Sequence, residues 1–473
     1  MKKIFLFLLM LICINCKTNT TVIEREQSGF TDEIYDSESE SDSEQSISYL
    51  DYIARVNGSS NTDDMIAMYY GAKNRLKWNK TELEKVVIHT FRDGHIDWFF
   101  PTFLYVEFRN DVGLKFGDNQ PGDNGPANKE SWEWLLNRYF STAYNGGNYE
   151  GLKALDECIE DCKKRLGSPN FKHKVVLTVP SPCTFFTEWG SIKKNGRTIK
   201  LDFRKSSDRL EAVKWFIDEL VHRFEAQHYK NITLDGLYWV EESTSMTGWH
   251  KDNRTGKWTN KRNDNKYDYV VDSKVRRHND IIADVANYVH SKNDLKFYWI
   301  PFDGAYGNEN WRDFGFDRCD NQTGYFWGTP DLLRNPRPLK TISDLTSICN
   351  AAIANGKGLE FEISADLFVP CYAKLKKNRD IERPYDIVKV EGCNKTLNEM
   401  RSLGYTRFNY NPCLLARLNN LMEVFEDQGV FERSNITYYF DNSAILNLCN
   451  SNEREIIELI DRLALHISRR NKS

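Results

Sequence analysis

Two short apolar segments of the chain each end in a pair of glutamates, and paired carboxylates can carry out acid–base chemistry. The segments are Leu237-Tyr-Trp-Val-Glu-Glu242 and Gly358-Leu-Glu-Phe-Glu362. Short runs rich in apolar and aromatic residues predict buried strands. A charged carboxylate is costly to bury unless another group pairs with it or a reaction uses it. Carboxylates near the C-terminal ends of two strands therefore indicate a site, and glycoside hydrolysis uses such a pair.

The elements that would carry these glutamates alternate between strand and helix. The first strand that we predict is Lys85–Thr90 and the eighth is Tyr405–Tyr410, and amphipathic helices such as Asp208–Gln227 separate most of the strands. Repeated strand–helix units form parallel sheets, and eight of them predict an α/β fold, a (β/α)8 TIM-like barrel with insertions. We place this glycosidase-like barrel at residues 49–440, followed at residues 441–473 by a C-terminal helix that packs on it.

Alternation along the strands predicts which glutamates face the barrel interior. In the second segment, Glu360 and Glu362 share the inward side, and Glu360 lies about 7 Å deeper because two residues of strand separate them. In the first segment, we predict from the same rule that Glu241 points inward at the barrel mouth and that Glu242 points sideways or outward.

The order of the strands assigns roles to these carboxylates. Glu241 follows the fourth predicted strand and Glu362 ends the seventh, an arrangement that many retaining glycosidase barrels use, and active sites of such barrels lie at the C-terminal ends of the strands. We therefore predict Glu241 as acid/base and Glu362 as nucleophile, with Glu360 and Glu242 as their alternatives and retention favoured. The competing interpretation is that the glutamates neutralise arginine or lysine in a polar barrel interior.

Other side chains near the predicted strand ends could bind a substrate. Glu107 ends the second strand, and Asp303 follows the fifth, where its carboxylate could bond a sugar hydroxyl. Aromatic rings in strands or loops near the mouth could stack on sugar, although each one alone is more readily explained by packing. These aromatic candidates are Trp239, Trp299, Trp311, Tyr325 and Trp327.

Composition and motifs exclude several classes of function. The 473 residues carry a formal net charge of −4, which gives no basic footprint for nucleic acid. The chain has no P-loop, no dinucleotide-binding glycine motif and no zinc-protease motif, so no cofactor is predicted. Cys158 and Cys162 are two of 11 cysteines, and no histidine cluster flanks them, so no metal site is predicted.

The N-terminus has the pattern of an export signal. Lys2 and Lys3 precede a short apolar run, and the chain reaches Cys16 directly after it, which predicts a signal peptide at residues 1–16. Cys16 stands where a bacterial lipoprotein carries its lipid, and simple secretion is the alternative. Residues 17–48 are acidic and rich in serine, which predicts a disordered linker. We expect an exported monomer, attached to the membrane at the cell envelope through a lipid on Cys16 or secreted.

Several segments resemble a known family in their order and spacing. They are Leu201-Asp-Phe203, Asp208–Asp218, Leu234–Glu242, Phe297–Phe302, Gly315-Phe-Asp317 and Gly358–Glu362. The chain resembles the domain of unknown function 4855 family, found in exported bacterial proteins, over about residues 80–410. The resemblance implies a glycosidase-like barrel. The family has no settled activity, so the resemblance implies no catalytic residues.

Three functions remain open at this point. The first is an exported glycoside hydrolase that acts on a polysaccharide or glycan. The second is a surface protein whose barrel binds a glycan without catalysis, because a fold does not fix a function. The third is another hydrolase or a lyase that uses the same acidic cleft.

Overall fold

The structure is a computed structural model. It describes residues 63–117, 124–142, 149–184, 186–244, 249–251, 258–260, 280–292, 294–326, 340–368, 410, 412–441 and 444–472. The predictions for Cys16, the linker at residues 17–48 and Trp327 concern residues outside this set. None of the described helices is both long and apolar enough to cross a membrane.

Eight parallel strands form a closed barrel, which confirms the predicted fold class. The strands are β1 Asp64–Tyr69, β2 Thr102–Val106, β3 His173–Val179, β4 Ile232–Trp239, β5 Lys296–Trp299, β6 Arg318–Gln322, β7 Gly358–Glu362 and β8 Ile436–Tyr439. Each strand pairs with the next one along the chain, and β8 pairs with β1 to close the barrel. The C-terminal ends of all eight strands therefore lie at one mouth.

Helices connect most of the strands. They are α1 Lys80–Val87, α2 Lys129–Tyr139, α3 Gly151–Leu166, α4 Ser206–Gln227, α5 Ile282–His290, α6 Ile342–Ala354, α7 Pro412–Asp427, α8 Val430–Arg433, α9 Ala444–Cys449 and α10 Arg454–Lys472. Between β5 and β6 the chain has a short 3-10 helix, Trp311–Phe314, in place of an α-helix. Short strand pairs in the loops add Ile88–Thr90 with Ile96–Trp98, Leu114–Lys115 with Gly125–Pro126, Gly190–Lys194 with Arg197–Leu201, and Trp249–Lys251 with Trp258–Asn260.

The prediction of the first strand was wrong. Most of the segment Lys85–Thr90 belongs to α1 and to a small antiparallel hairpin, and the first barrel strand is Asp64–Tyr69. Asn79 and Glu82 form a capping box that starts α1, and Leu83, Val86 and Val87 face the core at helical spacing. The β-branched residues suggested a strand, but the local capping favours the helix.

The last strand was also placed wrongly. The barrel closes with β8, Ile436–Tyr439, and not with Tyr405–Tyr410, of which only Tyr410 is among the described residues. At the start of the barrel one strand was missed, β1, and one was wrongly added, Lys85–Thr90, so the numbering of strands two to seven is still correct. Glu241 and Glu242 follow the fourth strand, and Glu362 ends the seventh.

The barrel interior is layered from its N-terminal end to its C-terminal mouth. At the N-terminal end, Arg318 forms a buried ion pair with Asp320 at 2.6 Å, and Asp320 also accepts a hydrogen bond from Thr437. An apolar layer, which includes Met65 and Leu104, fills the middle. The space above this layer is open, so the mouth is a cavity with a closed floor.

Candidate active site

A cavity of about 920 Å³ occupies the C-terminal mouth of the barrel. Its floor includes Ala67, Val106, Tyr238 and Ile300, which belong to the apolar layer of the barrel. Pockets that bind small ligands commonly have volumes of about 300–1,000 Å³ and combine apolar walls with a few polar groups. The cavity fits this description, and its polar groups determine which chemistry it can support.

Three glutamates from two strands line the cavity. Glu360 and Glu362 belong to β7, and Glu242 follows β4 on another side of the barrel. The inward direction of Glu360 and Glu362 confirms the prediction from alternation. Between them, Phe361 points to the helix layer, where its ring meets that of Phe425 at 5.4 Å.

The structure reverses the predicted orientations of Glu241 and Glu242. Glu242 is half-buried and lines the cavity, whereas Glu241 does not line it and is only 1% exposed. The carboxylate of Glu241 lies against Gly117, where an added Cβ would stand 2.9 Å from Glu241 Oε1. The backbone oxygen of Glu241 accepts a hydrogen bond of 2.7 Å from the Trp299 indole.

The reversal follows from the packing inside β4. The strand has a bulge between Leu234 and Gly236, and after it Tyr238 faces the barrel interior. A Cβ at Gly236 would lie 2.5 Å from the ring of Tyr298, so a large inward residue on β5 fits beside a glycine on β4. This arrangement turns Trp239 outward, and the next inward carboxylate is Glu242.

The two glutamates of β7 share a buried site that favours protonation. Burial, together with the charges of Glu362 and Glu242, raises the pKa of Glu360 well above its ordinary range. Burial also raises the pKa of Glu362, to about 7, although hydrogen bonds from Thr323 and Glu360 oppose this shift. The pair therefore holds at least one proton at neutral pH, with Glu360 as the donor to Glu362.

The loop after β6 holds Glu362 in place. Thr323 Oγ1 donates a 3.0 Å hydrogen bond to Glu362 Oε2, and both side chains are buried. Lys340 donates to the backbone oxygen of Thr323 and to Asp303, both at 2.8 Å. Asp303 lines the cavity as predicted from its place after β5, but it is paired with Lys340.

Three tyrosines around the glutamates were missed in the sequence. Tyr69, Tyr238 and Tyr439 line the cavity, and the Tyr439 hydroxyl donates to that of Tyr69 at 3.0 Å. Burial raises the pKa of all three hydroxyls, so they stay neutral hydrogen-bonding groups. Tyr69 and Tyr439 lie on the two strands that were misplaced. Tyr238 lies on the same side of its strand as Glu242, and this alternation is the sequence signal that could have identified it.

The four aromatic candidates that the structure describes lie outside the cavity. Trp239 and Trp299 belong to an outward aromatic layer in which Trp299 stacks on Phe316 at 4.9 Å. Trp311 is buried under the Arg312 guanidinium, and buried Tyr325 lies beneath that of Arg417. Their burial explains them as packing residues. Besides the three tyrosines, the half-buried Phe108 and Phe302 place aromatic rings along the cavity walls.

Glu107 is likewise a structural residue. It is completely buried and does not line the cavity. Its carboxylate accepts hydrogen bonds from the backbone nitrogens of Ala72 at 3.0 Å and Phe108 at 2.9 Å, and from Arg75 at 3.3 Å. Glu107 therefore fixes the ends of β1 and β2. Among the described residues, no group of three histidine, cysteine or acidic side chains is arranged to hold a metal ion.

The sequence profile of one protein family matches most of this barrel. The family is described as a domain of unknown function (DUF4855), and it matches residues 64–269 and 249–384, more than half of the chain. The chain belongs to this family. The matched span contains β1 to β7 and all three cavity glutamates of this DUF4855 protein.

Two further comparisons of the DUF4855 protein concern solved structures and curated sequences. A solved structure, the Bacillus cereus spore cortex-lytic enzyme SleL, is similar over 81% of this chain and 72% of its own. The sequence identity is 8% and the TM-score is 0.33, which is a distant likeness. No curated protein sequence matches the chain.

The raised pKa of Glu362 predicts how stability of this DUF4855 protein depends on pH. Between the ordinary value of 4.5 and the folded value of about 7, the folded protein binds more protons than the unfolded chain, so the free energy of unfolding falls as pH rises. Glu362→Gln cannot ionise. It should therefore be more stable than wild type by on the order of 2–3 kcal/mol at pH 8, with little difference at pH 4.5.

Urea unfolding of both proteins at the two pH values measures this effect. Glu432→Gln makes the same chemical change at an exposed position on α8 and should show no such pH-dependent gain. A Glu362→Gln variant that loses stability at pH 8 would contradict the buried, proton-binding environment.

Proposed function

We propose that this protein is an exported glycoside hydrolase that cleaves a polysaccharide or glycan at the barrel mouth. The observation that carries the proposal is the cavity in which Glu242 from one side of the barrel meets the proton-holding pair Glu360 and Glu362 from another. Glycoside hydrolysis needs one carboxyl group that can give a proton to the leaving oxygen and a second, ionised carboxylate. Export rests on the N-terminal sequence pattern alone.

The environments of the glutamates suggest their roles. An acid must hold a proton at the working pH, and the pKa of Glu362, about 7, meets this need. Glu362 also lies nearer the mouth than Glu360, which would hold it in position and supply a proton to it. Glu242 follows β4 on another side of the cavity, and we assign it the role of nucleophile. This assignment exchanges the roles that the sequence suggested for strands four and seven.

The remaining groups in the cavity suit a sugar. The hydroxyls of Tyr69, Tyr238 and Tyr439 can exchange hydrogen bonds with sugar hydroxyls, and the rings of Phe108 and Phe302 offer apolar faces. Such a mixture of aromatic faces and neutral polar groups supports a carbohydrate over a strongly charged ligand.

A polysaccharide panel tests the proposal. Purified protein is incubated with plant, fungal and bacterial cell-wall polysaccharides, and released reducing ends are measured. Proton NMR of the first products then reports the anomeric configuration, for which we predict retention. Release from none of the polymers, with binding to one of them, would favour the catalytically silent glycan-binding barrel instead.

The pH dependence of that activity should report the protonation of Glu362. If Glu362 is the acid, kcat falls as pH rises above about 7, because the carboxyl group loses its proton. Thr323→Val removes a hydrogen bond that favours the ionised form, so the pKa of Glu362 rises and the alkaline limb moves to higher pH. Thr323→Ser keeps the hydroxyl and should keep the wild-type limb. A Thr323→Val limb unchanged or moved to lower pH would argue against Glu362 as the acid.

A further inference from the structure

A second cavity adjoins the one at the barrel mouth. It has a volume of about 590 Å³ and shares Asp303, Ser347 and Ile348 with the first cavity. One of its walls is the loop of residues 303–310 after β5, and the other is α6. The two cavities are therefore neighbouring parts of one cleft, which leads from the three glutamates outward over α6.

The wall after β5 is held firmly. The backbone oxygen of Tyr306 accepts hydrogen bonds from the nitrogen and the hydroxyl of Thr244 at 3.0 and 2.9 Å. Gly307 has a φ of +84°, and a Cβ there would lie 2.4 Å from Thr244 Oγ1, so the loop packs directly on this residue. Thr244 stands two residues after Glu242, so the loop that lines the second cavity packs on the segment that carries this glutamate.

Hydrogen bonds also fix the inner part of the second cavity. Asn308 Nδ2 donates to Asn321 Oδ1 at 2.6 Å, and Lys357 Nζ donates to Asn308 Oδ1 at 2.7 Å. Both asparagines are buried, so they form the cavity base and keep its shape. A preformed wall of this kind lowers the entropy that a ligand must lose on binding.

The exposed groups of the second cavity are an aromatic ring, amides and two carboxylates, those of Asp303 and Glu309. Tyr306 has 45% of its surface exposed, and the amides of Asn310 and Asn355 are exposed as well. An aromatic ring beside amide groups can stack on one face of a sugar ring and bond its hydroxyls. The two carboxylates disfavour an anionic ligand, and Asp303 is already paired with Lys340, so the ring and the amides suit an uncharged sugar.

The length of the cleft exceeds that of one compact ligand. Asp344 lines the first cavity and Asn355 the second, and 11 residues of helix between them span about 16 Å. Each cavity alone already lies within the volume range of about 300–1,000 Å³ that holds one drug-sized molecule. A ligand that filled both would have to be an extended chain.

We propose that the second cavity is a subsite for uncharged sugar units of the same glycan chain whose bond is cleaved at the barrel mouth. The inference rests on the proposed function and adds to it that the enzyme recognises a chain of several sugar units. Its consequence is that affinity and kcat/KM rise with chain length until both cavities are occupied.

Filling the second cavity tests this inference. Ala351 lines it from the exposed side of α6, so Ala351→Trp fills the space while removing no contact of the barrel mouth. Ala354→Trp is the matched control, because Ala354 is exposed on the same helix but lines neither cavity. Binding of cellulose and chitin oligosaccharides of two and six units is measured by calorimetry, with Glu242→Gln present to prevent turnover.

The expected result is that six units bind about tenfold more tightly than two, a gain of about 1.4 kcal/mol. Ala351→Trp should abolish this advantage, and Tyr306→Ala should reduce it, whereas Ala354→Trp and Tyr306→Trp should keep it. Equal affinities for both lengths, no binding of any of these oligosaccharides, or an advantage that survives Ala351→Trp would overturn the inference. A length advantage lost in Ala351→Trp, in a protein that hydrolyses nothing, would contradict only the proposed hydrolysis.

Discussion

Glu242→Gln is expected to lower kcat by about 10²–10⁴-fold on any polysaccharide that the wild type cleaves, the range typical of a lost catalytic carboxyl group. Glu241→Gln should stay close to wild type. The reason is positional: Glu242 lines the cavity, where its charge acts on Glu360, whereas the carboxylate of Glu241 lies buried against Gly117. Initial rates for the two variants and the wild type, on the same substrate, measure the difference.

The two variants are matched controls for each other, because they are adjacent and each replaces a carboxylate by an amide of the same shape. Circular dichroism and thermal unfolding show whether each variant is folded before rates are compared. An inactive, folded Glu241→Gln beside an active Glu242→Gln would reverse our assignment and restore the one suggested by alternation in the sequence. Full activity of both variants would mean that neither glutamate after β4 takes part in catalysis.

Glu107→Ala is expected to destabilise the protein by about 3–5 kcal/mol, the usual result of removing one partner of a buried ion pair. The side chain is completely buried, and its loss leaves Arg75 and three backbone nitrogens without their carboxylate. The melting temperature should fall by several degrees. Activity per folded molecule should change little, because Glu107 does not line the cavity.

Glu133→Ala is a suitable control for this prediction. Glu133 forms an ion pair with Lys129 on the surface of α2, at 2.7 Å, and its side chain is 41% exposed. Loss of such a pair should cost less than about 1 kcal/mol. A Glu107→Ala variant that is as stable as wild type but binds glycan poorly would instead support the substrate-binding role that the sequence suggested.

The sequence was sufficient to predict the barrel because its signals are local and repeated. Helices such as α4 have a clear apolar stripe, and β3, β5 and β7 are short apolar runs between them. The errors concerned the first and the last strand of the barrel. The β-branched residues of Lys85–Thr90 resemble a strand, and only the capping box at Asn79 shows that a helix begins there.

The site was harder to predict than the fold, because alternation leaves two opposite choices for each strand. On β7, both glutamates lie on the same side of the strand, so they stay together whichever side faces the barrel interior. On β4, Glu241 and Glu242 are adjacent, and the correct choice depends on the space that Tyr298 takes beside Gly236. This contact joins residues of two strands and cannot be read from β4 alone.

Closure of the barrel by β8 has a consequence for biogenesis. The backbone nitrogen of Asp63 donates to Asn435 at 2.9 Å, a contact between residues 372 positions apart, and Arg470 forms an ion pair with Asp64 at 2.9 Å. At synthesis rates of about 5–20 residues per second, β1 leaves the ribosome roughly 20–70 s before its closing partner. Until then β1 is an open edge that can pair with other chains, so edge-to-edge aggregation of the nascent chain competes with closure of the barrel.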